Sequence, residues 1–191
     1  MSDAPRIATV GHSTRTFAEL VELLREGGVE ALVDVRRYPA SRRNPQHAKE
    51  ALERELPREG IEYRHEPELG GRRAPHPDSP NGAWRNPQFK GYADHMASAG
   101  FEEALERTLE LARRKRVAVM CAEAHPSQCH RKLIADAAVA RGFEVLHLVA
   151  PGRAERHELN PDARVLAGGR LVYPPKGGEA ERGQGRLGFE G

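Results

Sequence analysis

The segment VAVMCAEAHPSQCHR, residues 117–131, decides the fold class of the chain. Its first five residues are apolar and predict a buried strand, and residues 128–141 carry apolar side chains at helical spacing up to Gly142. A strand that leads through a short polar loop into a helix is the repeating unit of a parallel sheet. Ligands bind such sheets beyond the carboxyl ends of the strands, so the loop between this strand and this helix is a candidate site.

The same alternation of strand and helix extends along the chain on both sides of this segment. A capping box of Thr16 and Glu19 begins one helix, and Asn44 with Pro45 is predicted to begin another. The predicted strands are residues 6–10, 31–35, 61–65, 117–121 and 144–149, and two further helices are predicted at residues 89–97 and 101–114. The pattern predicts an α/β fold of three layers, Rossmann-like, with a mostly parallel sheet and helices on both faces.

Residues 1–175 are predicted to form a single α/β domain, with a last edge strand at residues 171–173. Residues 176–191 hold six glycines and almost no apolar residues, so we expect a flexible glycine-rich C-terminal tail. The stretch from residue 66 to about residue 87 lacks periodicity, and a loop of that length is usually functional or disordered.

Composition bounds the class of protein. The chain has 191 residues, of which 38% are hydrophobic and 30% charged, as is typical of a globular protein whose core needs no disulfide or structural metal. No window holds the roughly 18 apolar residues that span a bilayer, and the N-terminal sequence has no signal-peptide core. We therefore expect a cytoplasmic protein with no membrane contact, in a compartment that keeps its two cysteines reduced. A net charge of +2 argues against a dedicated duplex-DNA binder.

The most specific chemical signal is the pair of cysteines that flank the loop of residues 122–128. Ser127 is predicted to cap the following helix, which places Cys129 and His130 in its first turn, where backbone amides are unpaired. An anion or a thiolate would be stabilised there, and Arg131 adds a charged donor. The alternative that both cysteines are small buried core residues stays open.

A metal site is a second interpretation of the same residues. Cys121, Cys129 and His130, with His12, could supply four ligands to zinc, but the spacing of seven residues between the cysteines is not a common zinc pattern. Neighbouring residues such as Cys129 and His130 rarely bind one ion together. No metal is therefore assigned, the cofactor is left unknown, and a reversible disulfide remains an alternative although the motif is not C-x-x-C.

Two other strands also end in polar residues. The first ends in GHS, residues 11–13, and the second carries Asp34 within an otherwise apolar run. A buried carboxylate must be paired, so Arg36 or a nearby backbone amide is its predicted partner. Because parallel strands end at one edge of a sheet, we expect Gly11, residues 34–36 and Cys121 to share one rim.

The segments TVGHSTRTFAELVELL, LVDVRRYPASRRNPQ, IEYRHEPELGGRR, GYADHM and VAVMCAEAHPSQCHRKLIADAAVARGFEVLHL resemble, in order and spacing, the family described as domain of unknown function 488. The resemblance covers roughly residues 7–149 and implies an α/β, Rossmann-like or related three-layer fold, without an established reaction. The positions that match the family's signature are Gly11, His12, Ser13, Asp34, Arg36, Pro39, Ser41, Arg42, Gly70, Gly71, Cys121, Glu123, Cys129, His130 and Arg131.

These observations lead to one principal hypothesis, an enzyme that acts on an anionic ligand such as a nucleotide, a phosphorylated metabolite or a nucleic-acid end. Titratable groups gathered at strand ends favour an enzyme over a pure binder. The alternatives are a non-catalytic nucleotide or nucleic-acid binding module and a metal-binding protein that uses Cys121, Cys129 and His130. The candidate catalytic residues are Cys121, Glu123, Cys129, His12 and Asp34, and the candidate ligand-binding residues are Gly11, Ser13, Arg36, Ser41, Arg42, Gly70, Gly71, His130 and Arg131.

Overall fold

The computed structural model describes residues 4–40 and 42–176 and contains a six-stranded sheet. Its strands are β1 (Arg6–Gly11), β2 (Ala31–Asp34), β3 (Glu62–His65), β4 (Val117–Cys121), β5 (Glu144–Ala150) and β6 (Arg153–Arg156), in the order β3-β2-β4-β1-β5-β6. The first five strands are parallel, and β6 is antiparallel to β5. The predicted α/β architecture with a mostly parallel sheet is confirmed.

Side chains that alternate along the strands divide the core between the two faces of the sheet. In β4, Val117 and Val119 belong to one apolar cluster, and Ala118 and Met120 belong to the other. The first cluster packs under α3 (Pro87–His95), α4 (Ala99–Arg114) and α5 (Arg131–Val139), and the second under α1 (Phe17–Glu26) and α2 (Lys49–Glu55).

The strand order differs from that of the dinucleotide-binding fold. There β1 lies beside β2, whereas here β4 lies between them. The Rossmann-like order is therefore not confirmed. The expected rim is confirmed, since the amide of His12 donates to Cys121 O at 3.0 Å and that of Val35 donates to Met120 O at 3.0 Å.

Local signals predicted some helix starts and missed others. The capping box of Thr16 and Glu19 begins α1 as expected. The predicted helix start at Asn44 is wrong, because residues Pro45–His47 form a 3-10 turn and α2 begins at Lys49. The predicted helix of residues 128–141 is shorter, as α5 covers Arg131–Val139.

The chain beyond β5 differs most from expectation. Leu171–Val172 is a strand, β8, but it pairs with β7 (Arg164–Val165) and not with the main sheet, whose edge beside β5 is already taken by β6. Tyr173 is fully buried instead of lying on an edge. Within residues 4–40 and 42–176, no helix has the length and apolarity that crossing a bilayer requires. The predicted tail, apart from Lys176, lies outside the described residues.

The irregular stretch before α3 is ordered by one buried carboxylate. Asp94 accepts hydrogen bonds from the amide of His76 at 2.8 Å, the hydroxyl of Ser79 at 2.5 Å and the side-chain amide of Asn81 at 2.8 Å. The oxygen of the Asn81 amide in turn accepts from the amide of Tyr173 at 2.9 Å. This network ties the loop to the last described segment of the chain.

Gly91 in α3 packs closely against this loop, and Gly100 in α4 provides a comparison. A Cβ at Gly91 would lie 2.1 Å from the backbone oxygen of Arg73, whereas one at Gly100 would meet only the flexible end of Glu68, at 3.2 Å. Helix propensity alone predicts that Gly→Ala in either helix stabilises by up to about 1 kcal/mol. We expect Gly91→Ala to lower the free energy of unfolding by about 1–3 kcal/mol, because backbone must move to make room. Gly100→Ala, the matched control, should be neutral or stabilising in urea titrations, and equal effects of both changes would contradict the packing.

Candidate functional site

A cavity of about 200 Å³ lies at the carboxyl ends of β2 and β4, between the loop after β3, α3 and the start of α5. It is lined by Arg36, Arg37, Tyr38, Gly71, Arg72, Gln88, Phe89, Tyr92, Cys121, Ala122, Glu123, Gln128, Cys129 and His130. A larger groove of about 430 Å³ lies elsewhere, between α1, β1, β5 and β6, and the described residues that line it include no thiol or imidazole. The smaller cavity is therefore the candidate functional site, because two thiols and an imidazole line it.

The two cysteines meet at this cavity as free thiols. Cys121 ends β4 and Cys129 precedes α5, and both are buried. The Nδ1 atom of His130 lies 3.9 Å from the sulfur of Cys121 and 3.8 Å from that of Cys129. One imidazole nitrogen thus faces both sulfur atoms.

The pair divides its protons unequally. The neighbouring Cys129 thiol, followed by burial, raises the pKa of the Cys121 thiol well above its usual value. The neighbouring Cys121 thiol, together with the imidazole of His130 and the charge of Arg131, holds the pKa of Cys129 well below its usual value. Of the two thiols, Cys129 is therefore the one whose ionisation its surroundings favour.

Arg131 provides the positive charge next to Cys129. Its side chain is buried, with the residue 1% exposed, and its Nε lies 3.4 Å from the sulfur of Cys129. Its other hydrogen bonds go to the hydroxyl of Thr9 and to the backbone oxygens of Glu123 and Ala124. Among the described residues, none of its hydrogen-bond partners is a carboxylate, and the Cys129 sulfur is the one partner that can become an anion to oppose a buried guanidinium.

The predicted reason for the reactivity of Cys129 is corrected. Ser127 does not cap α5, because its hydroxyl contacts Nδ1 of His125 at 2.8 Å; the same nitrogen accepts from the Ser127 amide, and residues Pro126–Gln128 form a 3-10 turn. Cys129 follows in an extended conformation, and His130 is the residue before the first turn of α5. The neighbouring side chains of Cys121, His130 and Arg131, and not the unpaired amides of a first helical turn, therefore favour ionisation of Cys129.

A second polar cluster lies beside the cavity, on the face that α1 and α2 cover. Arg36 donates to both carboxylate oxygens of Asp34, at 2.8 and 2.6 Å, and its amide donates to Asp34 at 3.0 Å, as predicted. The Tyr63 hydroxyl also donates to Asp34, at 2.8 Å. His12 accepts from Arg36 through Nε2 at 3.1 Å and donates from Nδ1 to Ser13 O at 2.9 Å. Both nitrogens of His12 are thus engaged, and burial lowers its pKa to about 4.

The structure brings only part of the predicted site to the cavity wall. Arg36, Gly71, Cys121, Glu123, Cys129 and His130 line the cavity, whereas Gly11, His12, Ser13, Asp34, Arg42, Gly70 and Arg131 do not. Ser41 lies outside the described residues. The catalytic roles of His12 and Asp34 stay predictions, and their contacts are those of groups that position Arg36.

Two of the predicted glycines permit close approach. A Cβ at Gly11 would lie 1.8 Å from Glu123 O, so this glycine lets the loop after β4 cross the end of β1. A Cβ at Gly71 would lie 2.8 Å from Nδ1 of His130, so Gly71 leaves room for the imidazole that faces the thiols.

Sequence reasoning did not assign several lining residues. Arg37 and Arg72 stand in the arginine doublets 36–37 and 72–73, which were the available signal. Arg72 adopts a left-handed backbone with φ of 61°, a conformation that costs free energy and clusters at functional sites. Tyr38 is 63% exposed at the rim, the highest value among the large apolar side chains described as exposed.

Cys121, Cys129 and His130 could also hold a metal ion, because their ligand atoms lie within 4.8 Å of one another. Three such ligands with an open fourth position occur in catalytic zinc sites. Two observations disfavour this use. Nε of Arg131 already contacts the Cys129 sulfur. Nε2 of His130 is buried without a hydrogen-bond partner among the described residues, whereas a histidine that binds a metal through one ring nitrogen usually donates a hydrogen bond through the other.

Comparison with known proteins identifies a family. The family model described as "Domain of unknown function DUF488" matches residues 16–138. No curated protein and no solved structure matches the chain.

Acid should destabilise the protein through His12. Its pKa is about 4 in the folded protein, against an ordinary value of 6.5, so between these values the unfolded chain binds more protons and stability falls as pH falls. We expect His12 to contribute a loss of about 1–2 kcal/mol between pH 7 and pH 5. Urea titrations of wild type and His12→Asn, whose amide keeps a donor toward Ser13, should therefore differ in their pH slope. Parallel pH profiles would show that His12 is not held neutral.

Proposed function

The chain belongs to the DUF488 family, and from that premise and the geometry of the cavity we propose that it is an enzyme whose Cys129 thiolate attacks a small anionic substrate. The observation that supports this proposal most directly is the buried guanidinium of Arg131. One of its hydrogen bonds reaches the Cys129 sulfur, and among the described residues none of them reaches a carboxylate. A thiolate is the form of cysteine that acts as a nucleophile.

The charges on the wall support an anionic substrate. Arg36 is neutralised by Asp34, but Arg37 and Arg72 add positive charge, and of the described residues that line the cavity Glu123 alone carries a carboxylate. Arginine binds phosphate and carboxylate groups through two parallel hydrogen bonds. Arg37 also lies over the ring of Tyr38, 5.4 Å from its centre, which gives the rim an aromatic surface next to a cation.

The size of the cavity limits the substrate. A volume of about 200 Å³ is below the roughly 300–1,000 Å³ that is usual for sites of drug-sized ligands. A small phosphorylated or carboxylated molecule fits this volume. A nucleotide or a nucleic-acid end would enter only with its phosphate, and its base would lie outside near Tyr38.

The chemistry is nucleophilic substitution at a carbon or phosphorus atom of the substrate. The Cys129 thiolate forms a bond to that atom, and the bond to the leaving group breaks with its electron pair. Water then displaces the sulfur, which restores the thiolate and releases one proton. Glu123 on the cavity wall is the proposed acceptor of that proton, since both nitrogens of His12 are already engaged.

The reactivity of the two cysteines tests the proposal. At pH 7, iodoacetamide should modify Cys129 faster than Cys121 and faster than free cysteine, whose pKa is about 8.5. Inorganic phosphate should slow the reaction of Cys129 by occupying the arginine-lined wall. Peptide mass spectrometry after brief alkylation reports both residues in the same sample.

Variants of three arginines provide the controls. Arg131→Met should slow alkylation of Cys129 about tenfold or more, the change in thiolate fraction for one unit of pKa. Arg72→Met should weaken protection by phosphate and leave the unprotected rate unchanged, whereas Arg43→Met, at an exposed position outside the cavity, should change neither. Cysteines that stay unmodified until unfolding would refute the thiolate mechanism. Stoichiometric zinc that blocks alkylation, where phosphate does not, would establish a metal site in its place.

A further inference from the structure

A row of hydrogen bonds leads away from Arg131 on the side opposite Cys129. Nη1 of Arg131 donates to the hydroxyl of Thr9 at 3.4 Å, and that hydroxyl lies 2.7 Å from Nδ1 of His147. Thr9 and His147 are direct neighbours across the pairing of β1 with β5. Both are buried polar residues in strands that are otherwise apolar at the core, with exposures of 2% and 5%.

The row continues to a carboxylate on the helix that carries Arg131. Nε2 of His147 lies 2.9 Å from Nδ1 of His157, and Nε2 of His157 lies 2.8 Å from a carboxylate oxygen of Asp136 in α5. Asp136 is 1% exposed and also accepts from the Tyr173 hydroxyl at 2.8 Å and the amide of Asn160 at 2.9 Å. The carboxylate is thus held in place on three sides.

For a neutral His157, the carboxylate at one end sets the direction of every hydrogen bond. His157 then donates its one proton from Nε2 to Asp136, and its Nδ1 accepts from Nε2 of His147. Nδ1 of His147 then accepts from the Thr9 hydroxyl, whose oxygen is left to accept from Arg131. Burial holds the pKa of His147 at about 4, which keeps this ring neutral. All donors point from Arg131 toward Asp136.

We propose that these four side chains, Thr9, His147, His157 and Asp136, form a positioning chain that fixes the Arg131 guanidinium against Cys129. This inference rests on the proposed function of the Cys129 thiolate. None of the four lines the cavity, so they act through Arg131 and not on the substrate. Hydrogen bonds in a buried row polarise one another, so the aligned dipoles bring part of the charge of Asp136 to bear on Arg131.

The burial of these groups supports the proposal, since Thr9, His147 and Asp136 are buried and His157 is partly buried. Polar side chains in such positions weaken a core unless every one is paired, and an apolar set of the same size would avoid that cost. The chain also connects elements that are far apart in sequence, since Thr9 and His147 are 138 positions apart and His157 follows β6. The need to position Arg131 explains why these four polar side chains occupy places where apolar residues would pack equally well.

Substitution of Thr9 tests the chain without touching the cavity wall. Thr9→Val keeps the shape and removes the hydroxyl, and Thr9→Ser keeps the hydroxyl. In the full-length chain at pH 7, we expect Thr9→Val to slow alkylation of Cys129 by about fivefold, the order of one lost ordinary hydrogen bond. Thr9→Ser should stay within about twofold of wild type. Asp136→Asn, at the far end of the chain, should also slow the reaction.

Cys129 is also faced by other titratable and charged groups, which all three variants retain: Tyr92, Cys121, His130, Arg131 and Lys132. A change in rate on loss of the Thr9 hydroxyl therefore reports the chain. Equal rates in folded Thr9→Val and wild type would overturn the positioning role.

A second measurement separates this inference from the proposed function. Exchange of the Arg131 Nε proton, followed by nuclear magnetic resonance, reports how firmly the guanidinium is held whatever the reactivity of Cys129. We expect slow exchange in wild type and Thr9→Ser and faster exchange in Thr9→Val. An unreactive wild-type Cys129 would end the proposed function, whereas exchange unaffected by Thr9→Val would end the positioning chain.

Discussion

A positive charge inside the protein, that of Arg131, is the constraint around which the site is arranged. Burial of a guanidinium is costly unless its donors are satisfied and its charge is opposed. The donors are met by the oxygens of Thr9, Glu123 and Ala124 and by the sulfur of Cys129, which is the one of these partners that can become an anion. The loop after β4 must therefore return its carbonyl groups over the sheet, and it does so where Gly11 has no side chain to obstruct it.

The two buried arginines, Arg36 and Arg131, differ in role because their hydrogen-bond partners differ. Arg36 donates hydrogen bonds to both carboxylate oxygens of Asp34, and this pair holds His12 and the end of β2 in place. Arg131 has a sulfur atom, which carries charge only when it has lost a proton. The first arrangement is complete without a ligand, whereas the second, under the proposed function, keeps the Cys129 thiolate charged at the edge of a cavity.

Features set by neighbouring residues could be predicted from sequence, and those set across the fold could not. The pairing of Asp34 with Arg36 and the capping box at Thr16 depend on residues two or three positions apart. Parallel strands share one rim whatever their order, so Gly11 and Cys121 were placed together although the strand order was not foreseen. Cys129 was misplaced because the hydroxyl of Ser127 contacts the ring of His125 instead of capping α5, a local competition that a preference for serine caps does not resolve. The contact of Thr9 with His147 joins positions 138 apart, and β6 consists of the mostly charged sequence RAER, so neither gave a local signal.

Tyr173 gives the chain an order of assembly. Its hydroxyl binds Asp136 and its amide binds Asn81, so it joins the carboxylate behind Arg131 to the loop that Asp94 organises. During synthesis both cysteines and every wall of the cavity leave the ribosome before Tyr173 does. The last of these bonds therefore forms only when more than forty residues beyond Cys129 have been added. A nascent chain therefore holds both thiols before Tyr173 has completed the surroundings of Asp136, the carboxylate behind Arg131.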